Sequence, residues 1–519
     1  MKILKIQKNK GLPAQAGMLT IELLIAFAIL LISVTGIVLL TQSEQTMTLD
    51  AKTTTDALAL AQKKIEVAKA EAKNDFDGLD SEAVEVIGSL YNVKLDVLQI
   101  SECVKKLTST VSWSTWNKNR DVKLDTRVTD LSDIDILGGE CDLGPNDDWD
   151  NPGEAAEVEI GGQGASAIDS LNGYVYLTSD PSAPGKKDFF IYKFIYNSAD
   201  PENSTLIEEA SLDLSLGLND VEVVKIGTKI YAYLMNNNNV NYAVDPDNDP
   251  SIYEQLIILD VTDPSSVDPA DAIKISLPGI EDGSSYPEGR VVHYYDGRLY
   301  IGTWETAGPE FHIFDTTSDP ENPTHEGSLE LTHSIRDIIV RDNFAYLATT
   351  DNNHELMVID IENPGSLEHP DDSGLGYNTP SDYDGTSVSV LGNNVYLGTR
   401  QDSSSGDDED EFFILNKADV IDNTETFDGV IASKDLGDQS SVPTTGIVVR
   451  GNLVFISMDD PTVGLLVIYL DTLEPVSNCT IYNYSENNTD MDMSGDFLFI
   501  SSNSQKDVRV IFDKTEICS

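Results

Sequence analysis

The sequence predicts a mainly β chain in two parts: a long N-terminal transmembrane α-helix with a small antiparallel sheet, then a seven-bladed β-propeller. Three observations carry this. An apolar run from Met18 to Leu40 holds a single carboxylate, Glu22. Seven short strands, each centred on an aromatic, recur between Tyr176 and Phe499. Turn-forming pairs precede several of them, including Asn172-Gly173, Asp296-Gly297, Asp342-Asn343 and Gly495-Asp496, the residues that tight hairpins require.

In chain order, residues 1–17 form a leader carrying Lys2, Lys5, Lys8 and Lys10 and no acid, an asymmetry that holds the N-terminus inside. The 23 residues from Met18 to Leu40 amount to about 34 Å of helix, against a hydrocarbon core of ~30 Å. An acid such as Glu22 inside such a run costs free energy unless a cation meets it. Thr41 to about Lys73 lacks Gly and Pro and is rich in Ala, Lys, Glu and Leu, so the helix continues to about residue 74, and Gly78 marks its end. Alternating stretches at 91–97, 110–114 and 122–128 give a small sheet, the last two joined by the turn Trp116–Arg120. Residues 18–137 are thus a stem. Residues 138–154, crowded with Gly, Asn, Asp and Pro, read as a linker, and 155–519 as the propeller.

The N-terminal residues resemble those of type IV pilins and pseudopilins: a basic leader ending in Gly17, then Met18, then Glu22 at the fifth position of an unbroken apolar run. That resemblance implies cleavage after Gly17 by a prepilin peptidase, N-methylation of Met18, and assembly with other pilin subunits through Glu22. It also implies a precursor in the cytoplasmic (inner) membrane that passes to an extracellular filament or the cell surface. An ordinary signal peptide has a shorter apolar stretch with the cleavage site after it, whereas Gly17 lies before the run.

Beyond the linker, the aromatics Tyr176, Tyr231, Tyr300, Tyr346, Tyr396, Phe455 and Phe499 mark seven similar units spaced 44 to 69 residues apart, the signature of propeller blades. The strands Leu256–Pro264, Phe311–Asp315 and Met357–Pro364 resemble the LVIVD-type propeller repeat. The last unit stops at its third strand, Val508–Phe512. The segment Ala155–Ile160 therefore completes blade seven as its outer strand, leaving no open edge.

Composition narrows the function. Removing the four leader lysines takes the formal charge from −56 to −60, and no basic patch offsets it, so nucleic acid is not an expected partner. The spread of acids reads as a solvated, salt-adapted exterior ahead of a cation-binding surface. The cysteines fall into two local pairs, Cys103 with Cys141 and Cys479 with Cys518; an exported location permits disulfides, and all three pairings stay open. Asp245, Asp247 and Asp249 open like a calcium loop. Yet Pro250 stands where such a loop needs glycine and Leu256 where it needs glutamate, so calcium is only a weak candidate and no other cofactor is implied. The six histidines, His293, His312, His325, His333, His354 and His369, lack metal-site spacing. No nucleophile elbow or phosphate loop occurs, and the chain is expected not to be an enzyme.

Loops that enter the innermost strands converge on a propeller's channel. They bring Asp220, Arg290, Arg336, Asp337, Asp384 and Asp490, with Trp304 on a neighbouring loop. Mixed charge beside an aromatic suits a sugar or peptide; equally, these charges can pair among themselves and face water. The expected function is a minor pilin-like subunit displaying the propeller for adhesion to, or recognition of, an extracellular glycan or protein. Alternatives are a pilin-anchored propeller enzyme acting on polysaccharide, and a pseudopilin of a secretion or DNA-uptake machine.

Overall fold

The computed structural model describes residues 16–72, 82–88, 90–101, 104–115, 118–129, 151–161, 164–181, 185–214, 217–237, 254–280, 288–370, 374–380, 383–401, 410–422, 429–436, 443–450, 452–459, 464–476, 487–503 and 506–514, with Leu79 and Trp149. All four cysteines and Asp245, Asp247 and Asp249 lie outside the described residues. The chain divides into two compact units.

The first unit contains helix α1, Ala16–Ala72, and strands β1 (Glu82–Ile87), β2 (Tyr91–Ser101), β3 (Val104–Thr115) and β4 (Lys118–Thr129), paired in that order. Ala57 and Ala61, one helical turn apart, have no exposed surface and pack with Tyr91, Val93, Val111 and Trp113. Small residues at that spacing let the helix approach the sheet closely. The Tyr91 hydroxyl donates to the Thr53 carbonyl at 3.2 Å, so its polar tip is satisfied inside this core.

The transmembrane segment expected at Met18–Leu40 is overturned, and with it the localisation that depended on it. Among the described residues no helix is long and apolar enough to cross a membrane. The described apolar residues of that segment, Leu24, Phe27, Leu30 and Ile32 among them, stand exposed. Within it the Ser33 and Thr35 hydroxyls donate back to the carbonyls of Ile29 and Leu31, and beyond Leu40 the helix is largely polar. Gly17, Met18 and Glu22 fall on its first turns, and their side chains lie outside the described residues.

Among the described residues the second unit holds seven antiparallel sheets, each beginning at its innermost strand. These inner strands are Ala165–Leu171, Leu218–Ile226, Gly289–Tyr295, Ile335–Arg341, Tyr383–Leu391, Thr444–Arg450 and Asn488–Ser494, here blades 1 to 7. Each packs beside the next and the seventh beside the first, closing a ring. The marker aromatics sit on the second strands, between 0 and 4 % exposed, in apolar clusters that span neighbouring blades. Positive φ at Asn172 and Gly173, and at Asp296 and Gly297, shows the left-handed turns that these pairs were chosen for.

Closure uses the start of the unit. Pro152–Val158 pairs antiparallel with Val508–Asp513, with Ala156 opposite Val510, as the fourth strand of blade 7. This strand begins three residues earlier than Ala155, and the segment read as linker also buries Trp149 completely. The linker boundary therefore moves back: one aromatic among turn formers was enough to seat the chain.

A repeated buried polar group fixes each blade's exit. Asp188, Gln255, Glu310, Glu355, Glu411 and Asp507 directly precede the third strands of blades 1 to 5 and 7, and are at most 8 % exposed. Each side chain accepts the N–H of the residue two past the blade's outermost strand: Leu214, Leu277, Leu331, Thr379, Leu436 and Ile160, at 2.6–2.9 Å. Gly464 holds this place in blade 6, the one blade with three strands among the described residues. With no side chain, Gly464 cannot supply the acceptor that the other six blades use.

Inner strands approach their neighbours closely enough to demand glycine. A Cβ at Gly385 would lie 2.1 Å from the Glu355 carbonyl oxygen of the preceding blade. Gly385→Ala is therefore expected to cost about 1–3 kcal/mol through a backbone shift, read as a lower urea midpoint at unchanged slope.

Candidate functional site

Every inner strand carries a register shift near its start, between Ala165 and Ala167 in blade 1 and at the equivalent place in the other six. Such a bulge frees one residue from ladder pairing and re-aims its side chain. The freed residues are Ser166, Asn219, Arg290 and Arg336 in blades 1 to 4, and Thr386, Thr445 and Thr489 in blades 5 to 7. All line a channel cavity of about 1040 Å³. A second set comes from the ends of the second strands: Asp180, Asn237, Trp304, Arg400, Asp459 and Asn503 line the same cavity. Two concentric rings of side chains thus mark one mouth of the channel.

Most bulge residues also tie blades together. Ser166 donates to the Leu218 carbonyl, Asn219 to that of Gly289 at 2.7 Å, and Thr489 to that of Ala165 at 3.0 Å. Thr386 and Thr444 share a 2.6 Å hydroxyl contact. Arg336 reaches Asp384 of blade 5 at 3.5 Å, and Arg400 bonds the same carboxylate oxygen.

The seven candidates chosen from sequence divide by chemistry. Asp490 accepts the Ile168 N–H at 3.1 Å, Asp220 the Val292 N–H at 2.7 Å and Asp337 the Val388 N–H at 2.7 Å. Asp169 does the same for Val223. These carboxylates latch the inner strands of blades 1, 2, 4 and 7 to the next blade. Burial is the leading cause that raises all of them above the usual carboxylate range, Asp220 to about 7. Asp384 is committed to its two arginines.

Arg290, Trp304 and Arg336 come together. Each guanidinium carbon lies 5.2 Å from the Trp304 ring centre, within cation–π range. Burial, then the neighbouring Arg290 and Arg400, pushes Arg336 down to about 10, and burial also lowers Arg290. Three guanidiniums therefore gather on consecutive blades of a chain whose formal charge is −56. Sequence inspection missed Arg400 and the ring it belongs to. Its signal is positional: the residue ending or just following each Tyr- or Phe-centred strand.

His293 lines the channel, 3.8 Å from Glu222, and the other histidines lie away from it. His333 and His354 lie 3.6 and 3.4 Å from the buried Asp351 carboxylate, and His312 Nε2 is 2.9 Å from the Pro309 carbonyl. Among the described residues no group of three His, Cys, Asp or Glu is placed to hold a metal ion.

Fold and mouth together define a β-propeller with a polar, arginine-marked channel opening. Residues 334–369, which span most of blade 4, match the model of the LVIVD repeat. Among solved structures, the computationally designed protein Ika8 aligns at 11% identity and a TM-score of 0.40, covering 69% of this chain and 99% of that one. The β-propeller domain of Cps50 (Swd1) from Myceliophteria thermophila aligns at 10% identity and a TM-score of 0.42, covering 70% and 99%. A search of curated proteins gives no match.

Proposed function

We propose that the propeller is a ligand-recognition head of the adhesion type, and that it binds through the mouth carrying the two rings. The observation that carries this is the Arg290–Trp304–Arg336 stack on bulged, ladder-free positions. A half-buried indole flanked by desolvated guanidiniums resembles the centre of a recognition surface more than a packing element. Binding rather than catalysis is favoured, because Asp220 and Asp337 are engaged by backbone N–H groups, Asp384 by arginine and Glu288 by Trp304. The partner class is a glycan or protein.

The full chain probed on glycan and peptide arrays, with and without calcium, tests this. Ligands retained by the parent should bind about tenfold or more weakly after Trp304→Ala, and unchanged after Arg341→Ala, which alters the far end of an inner strand. Loss with Arg341→Ala but not with Trp304→Ala places the binding face elsewhere.

The finer part of the proposal makes this head the cargo of a pilin-like filament subunit, supported by the order Gly17, Met18, Glu22 in the sequence. Incubation with a prepilin peptidase should give a new N-terminus at Met18; an intact chain counts against it.

A further inference from the structure

We propose that the mouth selects an acidic saccharide, whose carboxylate is held by Arg290 and Arg336 beside Trp304. This rests on the mouth being the binding face and names the chemistry that the face reads.

Arg290 is the anomaly that leads there. At the equivalent bulge, Ser166, Asn219, Arg336, Thr386 and Thr489 each bond the neighbouring blade, and Thr445 bonds Ser457 of its own blade. Among the described residues Arg290 makes no hydrogen bond or ion pair, and its contact is the Trp304 ring. Asp220 and Glu288 are the acids near it, yet neither is within hydrogen-bond reach. A largely desolvated guanidinium thus keeps donors open for an anion that can meet them. Arg336 adds a second unmet donor: its Nε is buried and has no partner among the described residues.

The neighbouring charges narrow the anion. Arg336 and Arg400 share Asp384, and Arg290 stands near Asp220 and the half-buried Glu288, with Asp180 and Asp459 also in the outer ring. The mouth therefore has no surplus of positive charge for a dianion such as phosphate, and a carboxylate is the better match. Guanidinium also grips carboxylate through paired N–H donors, and Arg336 and Arg400 already turn one N–H each to the same oxygen of Asp384.

The rest of the mouth favours sugar over peptide. Asp180, Asp459, Thr445 and Asn503 line the opposite side, and no apolar side chain stands in either ring apart from Trp304. Carboxylate, amide and hydroxyl oxygens accept from the many hydroxyls of a sugar, whereas the described residues of the mouth offer no apolar pocket for the aromatic or aliphatic anchor of a peptide.

Calorimetric titration of the full chain at low salt tests this with oligogalacturonate, its methyl ester, and inorganic sulfate as probes; oligomers of glucuronate and mannuronate extend the acid arm. The acid should bind, the ester about tenfold or more weakly, and sulfate should fail to compete at equal concentration. Arg290→Gln should weaken the acid by about 10- to 100-fold, and Arg290→Lys should restore part of that, with melting curves of both variants matching the parent. Equal binding of acid and ester, both lost in Trp304→Ala, overturns the carboxylate and leaves the mouth as binding face. Acid binding untouched by both Arg290→Gln and Trp304→Ala overturns both. Effective competition by sulfate reduces the site to a general anion site and overturns saccharide selection. No binding of any of the three uronate oligomers also overturns it.

Discussion

Trp149→Ala is expected to destabilise the propeller by about 3–5 kcal/mol and to lower its melting midpoint by about 5 °C. Trp149 has no exposed surface and meets Phe455 edge-on at 4.8 Å between ring centres. Its backbone N–H donates to one oxygen of Asp513 at 3.1 Å, and the Asn151 N–H to the other at 3.2 Å. Asp513 ends the strand with which Pro152–Val158 closes the ring. The indole therefore fills space between blades 6 and 7 and also sets where the closing strand begins. Its loss leaves a cavity and loosens that strand, uncovering the edge of Val508–Asp513 as a template for another chain. Thermal melts and limited proteolysis of the 149–158 segment read both effects. A midpoint within 1 °C of the parent would remove the closing role assigned to Trp149.

Stability should fall as pH rises from about 4.5 to 7. Burial lifts Glu355, Glu411 and Asp220 each to about 7, well above an unfolded carboxyl near 4. In that window the folded chain holds protons that the unfolded chain has released. Linkage then makes stability decrease with rising pH, by at most about 1.4 kcal/mol per pH unit for each group, and the loss is complete above about 7. Asp260, Asp263 and Asp342 move the other way, but their depressed values make their contribution vanish only below about pH 4, outside the window. Burial pushes His312 down to about 4 and lowers His325, which opposes the fall below about pH 6.5 but is outnumbered by the three carboxyls. The melting midpoint should thus be several degrees higher at pH 5 than at pH 8. Glu355→Gln keeps an oxygen for the Thr379 N–H and removes one titrating group, so it should flatten the slope and gain stability at pH 8. A midpoint that is level or rises between pH 5 and 8 contradicts this account.

The ring was legible because its marks are local. An aromatic on each second strand, with a turn-forming pair just before several of them, reports a hairpin within a dozen residues, and the missing last strand of blade 7 pointed to its replacement. The clamps were not legible, because Glu310, Glu355 and Glu411 look like surface charge until the fold brings a distant N–H to meet them. The bulges were also hidden, since an extra residue in a strand has no spelling of its own. For the channel, sequence gathered the right neighbourhood but could not separate acids that latch blades from cations left over. Trp149 was lost among turn formers, because composition averages away a single aromatic. At the other end, hydropathy over Met18–Leu40 overrode the hydroxyls and the polar continuation of the helix.

The bulges have a consequence for how such a face could diversify. The clamps that hold each blade sit before its third strand, away from the residue displayed at the mouth. Rewriting that residue forfeits one interblade bond at most and leaves the rest of the scaffold intact. Seven codons therefore act as interchangeable letters around an opening, and new selectivity can evolve by spelling changes alone, without renegotiating the architecture.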